Sequence, residues 1–232
     1  MTAIPLRHDI HYPESDGKPM GETEVHIREI MYIFQALDEH LRDVPDVYVG
    51  ADLLVYYVPG DPKRFVVPDN FVARGVPRGE RRIYKIWEEG QPPCLVVEVT
   101  SASSRKEDLV DKKDLYERLG VEEYLLHDPL GEYLNPPLQG FRLVNGRYQP
   151  MFPEADGSFH SRTTGVTFRR EEQRLRLIDS ATGKPILSNE EVREAHRTAE
   201  RQVAQEAEAR RAAEEELARL RAEIERLRGG AG

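Results

Sequence analysis

The chain is short of several things at once, and each shortage removes a class of explanation. It has one cysteine, Cys94, in 232 residues. No intrachain disulfide can form, and a reducing, cytoplasmic setting is expected. Cys94 lies in an apolar run and reads as a small core residue rather than a nucleophile. There is a single tryptophan, Trp87, and most of the other aromatics are tyrosine. No stretch approaches the roughly 18 consecutive apolar residues of a membrane helix, and Met1 to His11 lacks the charged-then-apolar order of a signal peptide. A soluble protein with no membrane partner is expected.

An excess of positive charge is also missing. The net charge is −9, whereas duplex binding draws most of its affinity from phosphate neutralisation by Lys and Arg. After residue 187 the chain carries 9 Arg against 11 Glu, a net −2, which leaves −7 of the total −9 before it. Neither part is basic overall, so any nucleic-acid contact must come from a local patch. Lys63, Arg64, Arg74, Arg78, Arg81, Arg82 and Lys85 are the candidates, and a solvated surface is the plainer account of them.

Near residue 188 proline and the aromatics disappear, and the composition becomes Ala, Glu and Arg almost throughout. This divides the chain into residues 1–187 and a helical tail, residues 188–232. Taking Leu217, Leu220, Ile224 and Leu227 as alternating a and d positions and counting back gives Ala213, Arg210, Glu206, Val203, Ala199, His196 and Val192. The last two heptads are clean, and Arg210 and Glu206 interrupt the seam. The tail is expected to be either a weak coiled coil or a single solvated helix held by Glu/Arg pairs at helical spacing. Asn189 is the expected N-cap, and Gly229-Gly230 the stop.

The first part reads as a mixed α and β domain. Apolar residues from Val25 to Leu41 form one stripe on a helix over 24–41. Strands are expected over 46–58, with a bulge at Gly50, and over 66–73, 95–100 and 121–127. Ser104 to Glu107 has the spacing of a capping box, opening a helix that runs to Leu119 and stops at Gly120. Strand, helix and strand in that order predict a parallel pair joined by a crossover. Asn145-Gly146 predicts a hairpin turn.

Within this frame Glu98 is the misfit, a carboxylate inside Cys94-Leu95-Val96-Val97-Glu98-Val99-Thr100. Burying an ionised carboxylate costs several kcal/mol unless a cation, a metal or hydrogen-bond donors compensate. Asp69 follows Pro68, which suits an edge or a bulge. Two acids from neighbouring strands can converge on one divalent ion, and Mg²⁺ takes only one or two protein carboxylates, leaving the rest of its shell to water and phosphate. Lys112 stands one helical turn from Asp108 and from Tyr116, placed to stabilise developing negative charge or orient a water. Each residue also has a plainer account. Pro-Asp is a turn signal, Glu98 can pair with a structural Arg, Asp108 can be the helix partner of Lys112, and Tyr116 and Tyr124 read as packing residues with hydroxyls at the rim. His26 and His127 read as structural.

The ordered set Pro68-Asp69, Glu98-Val99-Thr100-Ser101, Asp108-Leu109, Lys112, Tyr116, Gly120-Val121, Glu123-Tyr124 and Asp128-Pro129 resembles the Uma-two family of restriction endonucleases, within the PD-(D/E)XK superfamily. The resemblance covers roughly residues 13–187. It implies an α/β (α+β mixed) fold with a restriction endonuclease-like core, a mixed β-sheet flanked by helices, to which the long C-terminal helix is added. It also implies Mg²⁺, with Mn²⁺ able to substitute, held by Asp69 and Glu98. The superfamily places its lysine two residues after the glutamate, where this chain has Thr100. The family resembled carries it on the next helix, which implies Lys112, with Lys113 second. An acid near the first helix is implied as well, Glu22 first and Glu24 second.

The expected function is a metal-dependent endonuclease acting on DNA phosphodiester bonds, with Asp69, Glu98, Lys112 and Glu22 as its catalytic set. The alternative is a catalytically silent module of the same fold that binds DNA or assembles through its coiled tail. A homo-oligomer, formed through the fold, the C-terminal helix or both, is expected on either reading.

Overall fold

Strands 95–99 and 123–127 are apolar on both faces apart from Glu98, Glu123 and His127, as strands covered on both sides must be. In the computed structural model, which describes residues 10–17 and 23–229 and leaves the side chains of 227–229 undescribed, they sit at the centre of the main sheet. The chain falls into two compact units, Met1–Ile186 and Leu187–Gly232.

In chain order the first unit contains α1 (Glu24–His40), β1 (Val47–Ala51), β2 (Val55–Tyr56), β3 (Phe65–Val66), β4 (Asn70–Arg74), β5 (Tyr84–Lys85), the short α2 (Ile86–Glu89) and β6 (Leu95–Val99). A π-helical segment, Glu107–Lys112, then leads into α3 (Lys113–Leu119), followed by β7 (Glu123–His127), β8 (Leu138–Val144), β9 (Arg147–Pro150), β10 (Phe159–His160), β11 (Val166–Glu171) and β12 (Arg174–Asp179). The main sheet has the order β1-β4-β6-β7-β8-β9, and β10-β11-β12 and β3-β2-β5 form two small sheets. The fold is mixed α/β. Within the main sheet only β6 and β7 run parallel, with Leu95 opposite Glu123 and Glu98 opposite Leu126.

Side-chain alternation then divides the core. Leu95, Val97, Val99 and Leu125 pack with Ile33 and Leu37 of α1 and with Phe168, Leu175 and Leu177 of the small β10–β12 sheet. Val96, Tyr124 and Leu126 pack on the other face with Tyr116, Val121 and Phe71. Glu98, two residues from Val96, belongs to this second face.

Four local expectations are corrected. The strand expected over 46–58 is two strands in different sheets, broken at Asp52, whose φ is 48°. Gly50 marks close packing rather than a bulge, since a Cβ there would stand 2.5 Å from the Phe71 ring. The strand expected over 66–73 breaks at Pro68-Asp69, where the Asp52 N–H donates to both the Pro68 and Asp69 carbonyls (3.1 and 3.2 Å). The Ser104 hydroxyl turns to the Asp108 carboxylate (2.6 Å), and the helix it was expected to cap winds as a π-helix before regular geometry resumes at Lys113. The turn at Asn145-Gly146 has both residues at positive φ (53° and 76°), the geometry that a two-residue hairpin turn of this type requires.

The second unit is one helix, α4 (Asn189–Gly229). Its cap is Ser188 rather than Asn189. The Ser188 hydroxyl accepts from the Glu191 N–H (3.2 Å), and Glu191 Oε2 accepts from the Ser188 N–H (2.8 Å), a reciprocal capping box.

Candidate active site

Glu98 is completely buried, and its two oxygens are held from three directions. Tyr116 donates its hydroxyl to Oε1 at 2.7 Å. Lys112 Nζ donates to Oε2 at 2.9 Å, and the Asp69 backbone N–H reaches the same oxygen at 3.2 Å. The exchange is mutual, because the Val99 N–H donates to Asp69 Oδ2 at 2.7 Å. The broken strand at Pro68 allows this: residue 69 leaves the ladder and turns its backbone donor and its carboxylate toward the end of β6.

Lys112 also lies 3.3 Å from Asp108 Oδ1, one turn back on the same helix. The π-helical segment carries both residues, and a widened turn of this kind recurs at functional sites. One ammonium therefore faces three carboxyls. Burial pushes Glu98 up to about 7, with Lys112 opposing and the Asp69 charge adding to the rise. Burial likewise lifts Asp69 and Asp108 to about 6, against the pull of Lys112. Burial works against the charge on Lys112, but Glu98, Asp69 and Asp108 outweigh it and raise its pKa. The cluster has more acid than its one lysine can neutralise, and Glu98 is the member that keeps a proton closest to neutrality.

This cluster forms part of the wall of a cleft of about 1120 Å³ lined by His26, Asp52, Arg64, Asp69, Lys112 and Arg118 among others. Asp69 and Lys112 reach the cleft, while Glu98 lies behind them. His26 of α1, 5% exposed, brings Nε2 to 3.8 Å from Asp69 Oδ2.

Of the residues singled out from the sequence, Asp69, Glu98 and Lys112 thus come together. Glu22 lies outside the described residues. Glu24 pairs with Arg28 on the exposed face of α1. The Lys113 ammonium stands 3.8 Å over the Phe141 ring, away from Glu98. His127 is on the other face of the sheet, 3.3 Å from Glu29. Tyr116 corrects the expectation of a hydroxyl at the rim, being fully buried as a ligand of Glu98; Tyr124 likewise sends its hydroxyl inward, to the Asp108 carbonyl (2.9 Å). Sequence reasoning missed Tyr116 because only the i,i+4 spacing from Lys112 pointed to it. Asp52, whose pKa is raised by burial and by Asp16, was missed altogether. Four of the seven basic candidates are locally neutralised: Arg78, Arg81, Arg82 and Lys85 pair with Asp38, Glu89, Glu14 and Glu88.

The chemistry of the side chains is that of a hard-ion site: the candidate donors are carboxylate oxygens, the acids exceed the local cation, and the cleft leaves room for water. Among the described residues, no group of three or more His, Cys, Asp or Glu is arranged to hold a metal, and none of the helices described is long and apolar enough to cross a membrane.

Comparison with solved structures finds the crystal structure of a putative nuclease belonging to DUF820 from Anabaena variabilis, 17% identical, covering 63% of this chain and 76% of that one with a TM-score of 0.47. A likeness at that level carries no chemistry across. No curated protein matches the chain. The profile of the Uma2 family, described as "Putative restriction endonuclease", matches residues 3–175. The match spans most of the chain, including Asp69, Glu98 and Lys112, and the chain belongs to the Uma2 family.

Proposed function

We propose that this protein is a Mg²⁺-dependent endonuclease that hydrolyses DNA phosphodiester bonds, with Mn²⁺ able to replace Mg²⁺. The observation that carries the reading is the convergence of Asp69, Glu98 and Lys112 beside a cleft, with Glu98 Oε2 accepting from Lys112 Nζ at 2.9 Å and from the Asp69 backbone N–H at 3.2 Å. Family membership agrees with it.

In this reading Asp69 and Glu98 would hold the ion. When bound, it supplies Lewis-acid stabilisation to the scissile phosphate and an activated water. Asp69 reaches the cleft and so meets solvent and substrate first. Glu98 supports it from behind, fixed in orientation by the Tyr116 hydroxyl. Lys112 exchanges part of its contact with Glu98 for the phosphate oxygens on which charge develops, a stabilisation effective in a site shielded from water. Arg64 and Arg118 on the cleft wall add charge toward the substrate backbone. Glu22 remains the proposed first-helix acid, assisting the ion or its water.

A second reading, a silent module that binds DNA or assembles through its tail, is favoured by one observation: Glu98 is wholly buried with partners on both oxygens. Nicking of supercoiled plasmid with Mn²⁺ or Mg²⁺ separates the two. Cleavage by the wild type, lost in Glu98→Gln and in Lys112→Ala while circular dichroism is unchanged, supports the endonuclease. No cleavage by the wild type under either ion, or equal cleavage by wild type and Glu98→Gln, defeats it.

A further inference from the structure

In α4 every described residue from Val192 to Arg226 is exposed, including Val203 (66%), Leu217 (53%), Leu220 (47%) and Ile224 (49%). Such a helix, polar on most of its circumference, gains nothing from packing as it stands. Its apolar residues are nevertheless ordered. Leu217 and Ile224 occupy a positions and Leu220 the d position between them, and the sequence continues the alternation to Leu227. This seam lies entirely in the C-terminal third of the helix.

The flanking charges identify what covers it. With Leu217 at a, Glu216 and Glu223 fall at g, and Arg221 and Arg228 fall at e. In a parallel pair in register, each g residue faces the e residue five positions later in the partner. Glu216 then meets Arg221 and Glu223 meets Arg228, on both sides of the seam. An antiparallel pair overlapping on the same heptads sets Glu against Glu and Arg against Arg. An antiparallel pair overlapping along the whole helix lays the leucine seam against the half that holds His196 and Ala199. Both costs vanish in one arrangement only.

We infer that α4 is the interface of a parallel, in-register homodimer, closed by Leu217, Leu220 and Ile224 and selected by the Glu216–Arg221 and Glu223–Arg228 pairs between chains. Of the two a positions in the seam, Ile224 with Leu220 at d follows the two-stranded preference, and Leu217 is neutral to it. Arg210, at an a position upstream, is drawn to Glu214 of its own helix at 2.8 Å; a charged residue there weakens the coil while fixing register. The dimer is therefore an equilibrium that dilution reverses. Parallel pairing brings the two helix N-termini, and the two chains that feed them, to the same end of the coil. This inference is independent of the nuclease reading.

Sedimentation equilibrium of the full chain across a dilution series tests it, with twice the chain mass expected at the concentrated end. The double variant Leu220→Lys, Ile224→Lys is expected to sediment as one chain. Glu216→Arg with Glu223→Arg, and separately Arg221→Glu with Arg228→Glu, are each expected to be monomeric and to recover the dimer when mixed. Leu217→Cys is expected to cross-link to its own copy under mild oxidation, since the native Cys94 is buried. A single-chain mass at every concentration overturns the proposal. So does a dimer that survives the Lys substitutions, which would lie elsewhere, and so does a dimer in which Leu217→Cys fails to cross-link.

Discussion

Two strand glutamates, Glu98 of β6 and Glu123 of the neighbouring β7, are buried to nearly the same degree, 0% and 2% exposed, yet their surroundings are opposite. Glu123 is saturated with donors. Ser161 and Thr163 give hydroxyls at 2.6 and 2.8 Å, Arg142 gives two N–H groups at 3.0 and 2.8 Å, and the Arg162 and Thr163 backbones complete the set. Burial raises its pKa, but Ser161, Arg142 and the others together outweigh it and hold it below the usual carboxylate value. Glu98 has a lysine it shares with other acids, one tyrosine and one backbone N–H, and it stays high at about 7. A buried carboxylate is therefore not itself a sign of a site. A carboxylate with too few donors, beside other acids and a cleft, is.

The comparison can be broken in several ways. The largest expected effect is on cleavage: Glu98→Gln should lower Mg²⁺-dependent nicking by about 100-fold or more, in the range of losing one preorganised electrostatic group. Glu123→Gln should leave the cleavage rate per folded molecule near wild type but destabilise the protein by about 3 kcal/mol, the scale for breaking a buried charged pair and stranding its donors. Urea melts together with nicking rates separate the two outcomes, and equal behaviour of the two variants would remove the distinction.

The next effect is on pH dependence. Glu98 titrates near 4.5 when unfolded and at about 7 in the fold, so between those values the native state holds a proton that the unfolded chain has released. Its contribution to stability is present at low pH and falls as pH rises through that window. Without metal, the wild type should lose on the order of 3 kcal/mol relative to Glu98→Gln between the two ends of the window, because each tenfold difference in proton affinity is worth about 1.4 kcal/mol. Asp69 and Asp108, raised to about 6, add a slope in the same direction, and the Asp108 part is smaller in Glu98→Gln because the Glu98 charge contributes to its rise. Denaturant midpoints for both proteins at acid and mildly alkaline pH check this. A wild type that gains stability over that range relative to Glu98→Gln would reverse the sign. The smallest effect is Tyr116→Phe, which should cost about 2 kcal/mol in stability, one buried hydrogen bond to a carboxylate, and slow cleavage modestly.

How much of this was legible in the sequence follows from where the signals are local. The helix over 24–41, the parallel β6–β7 pair with its crossover and the Asn145-Gly146 hairpin each rest on short-range periodicity or turn chemistry, and they were readable. The breaks at Asp52 and Pro68 were not, because they depend on which sheet each half joins, a long-range choice that alternation cannot express. The difference between Glu98 and Glu123 was invisible for the same reason. Arg142, Ser161 and Thr163 satisfy Glu123 from 19 to 40 residues away. Within the site, Lys112 was recoverable by resemblance. Tyr116 was misread as a rim residue, since helix spacing alone does not say that the helix faces a buried acid.

Calorimetric titration of Mn²⁺ into wild type, Glu98→Gln and Glu123→Gln tests most directly whether the acid-rich cluster around Glu98 takes a divalent cation. Binding by the wild type and by Glu123→Gln, with loss in Glu98→Gln, is the predicted result. Equal binding by all three proteins, or no binding by the wild type, would contradict it.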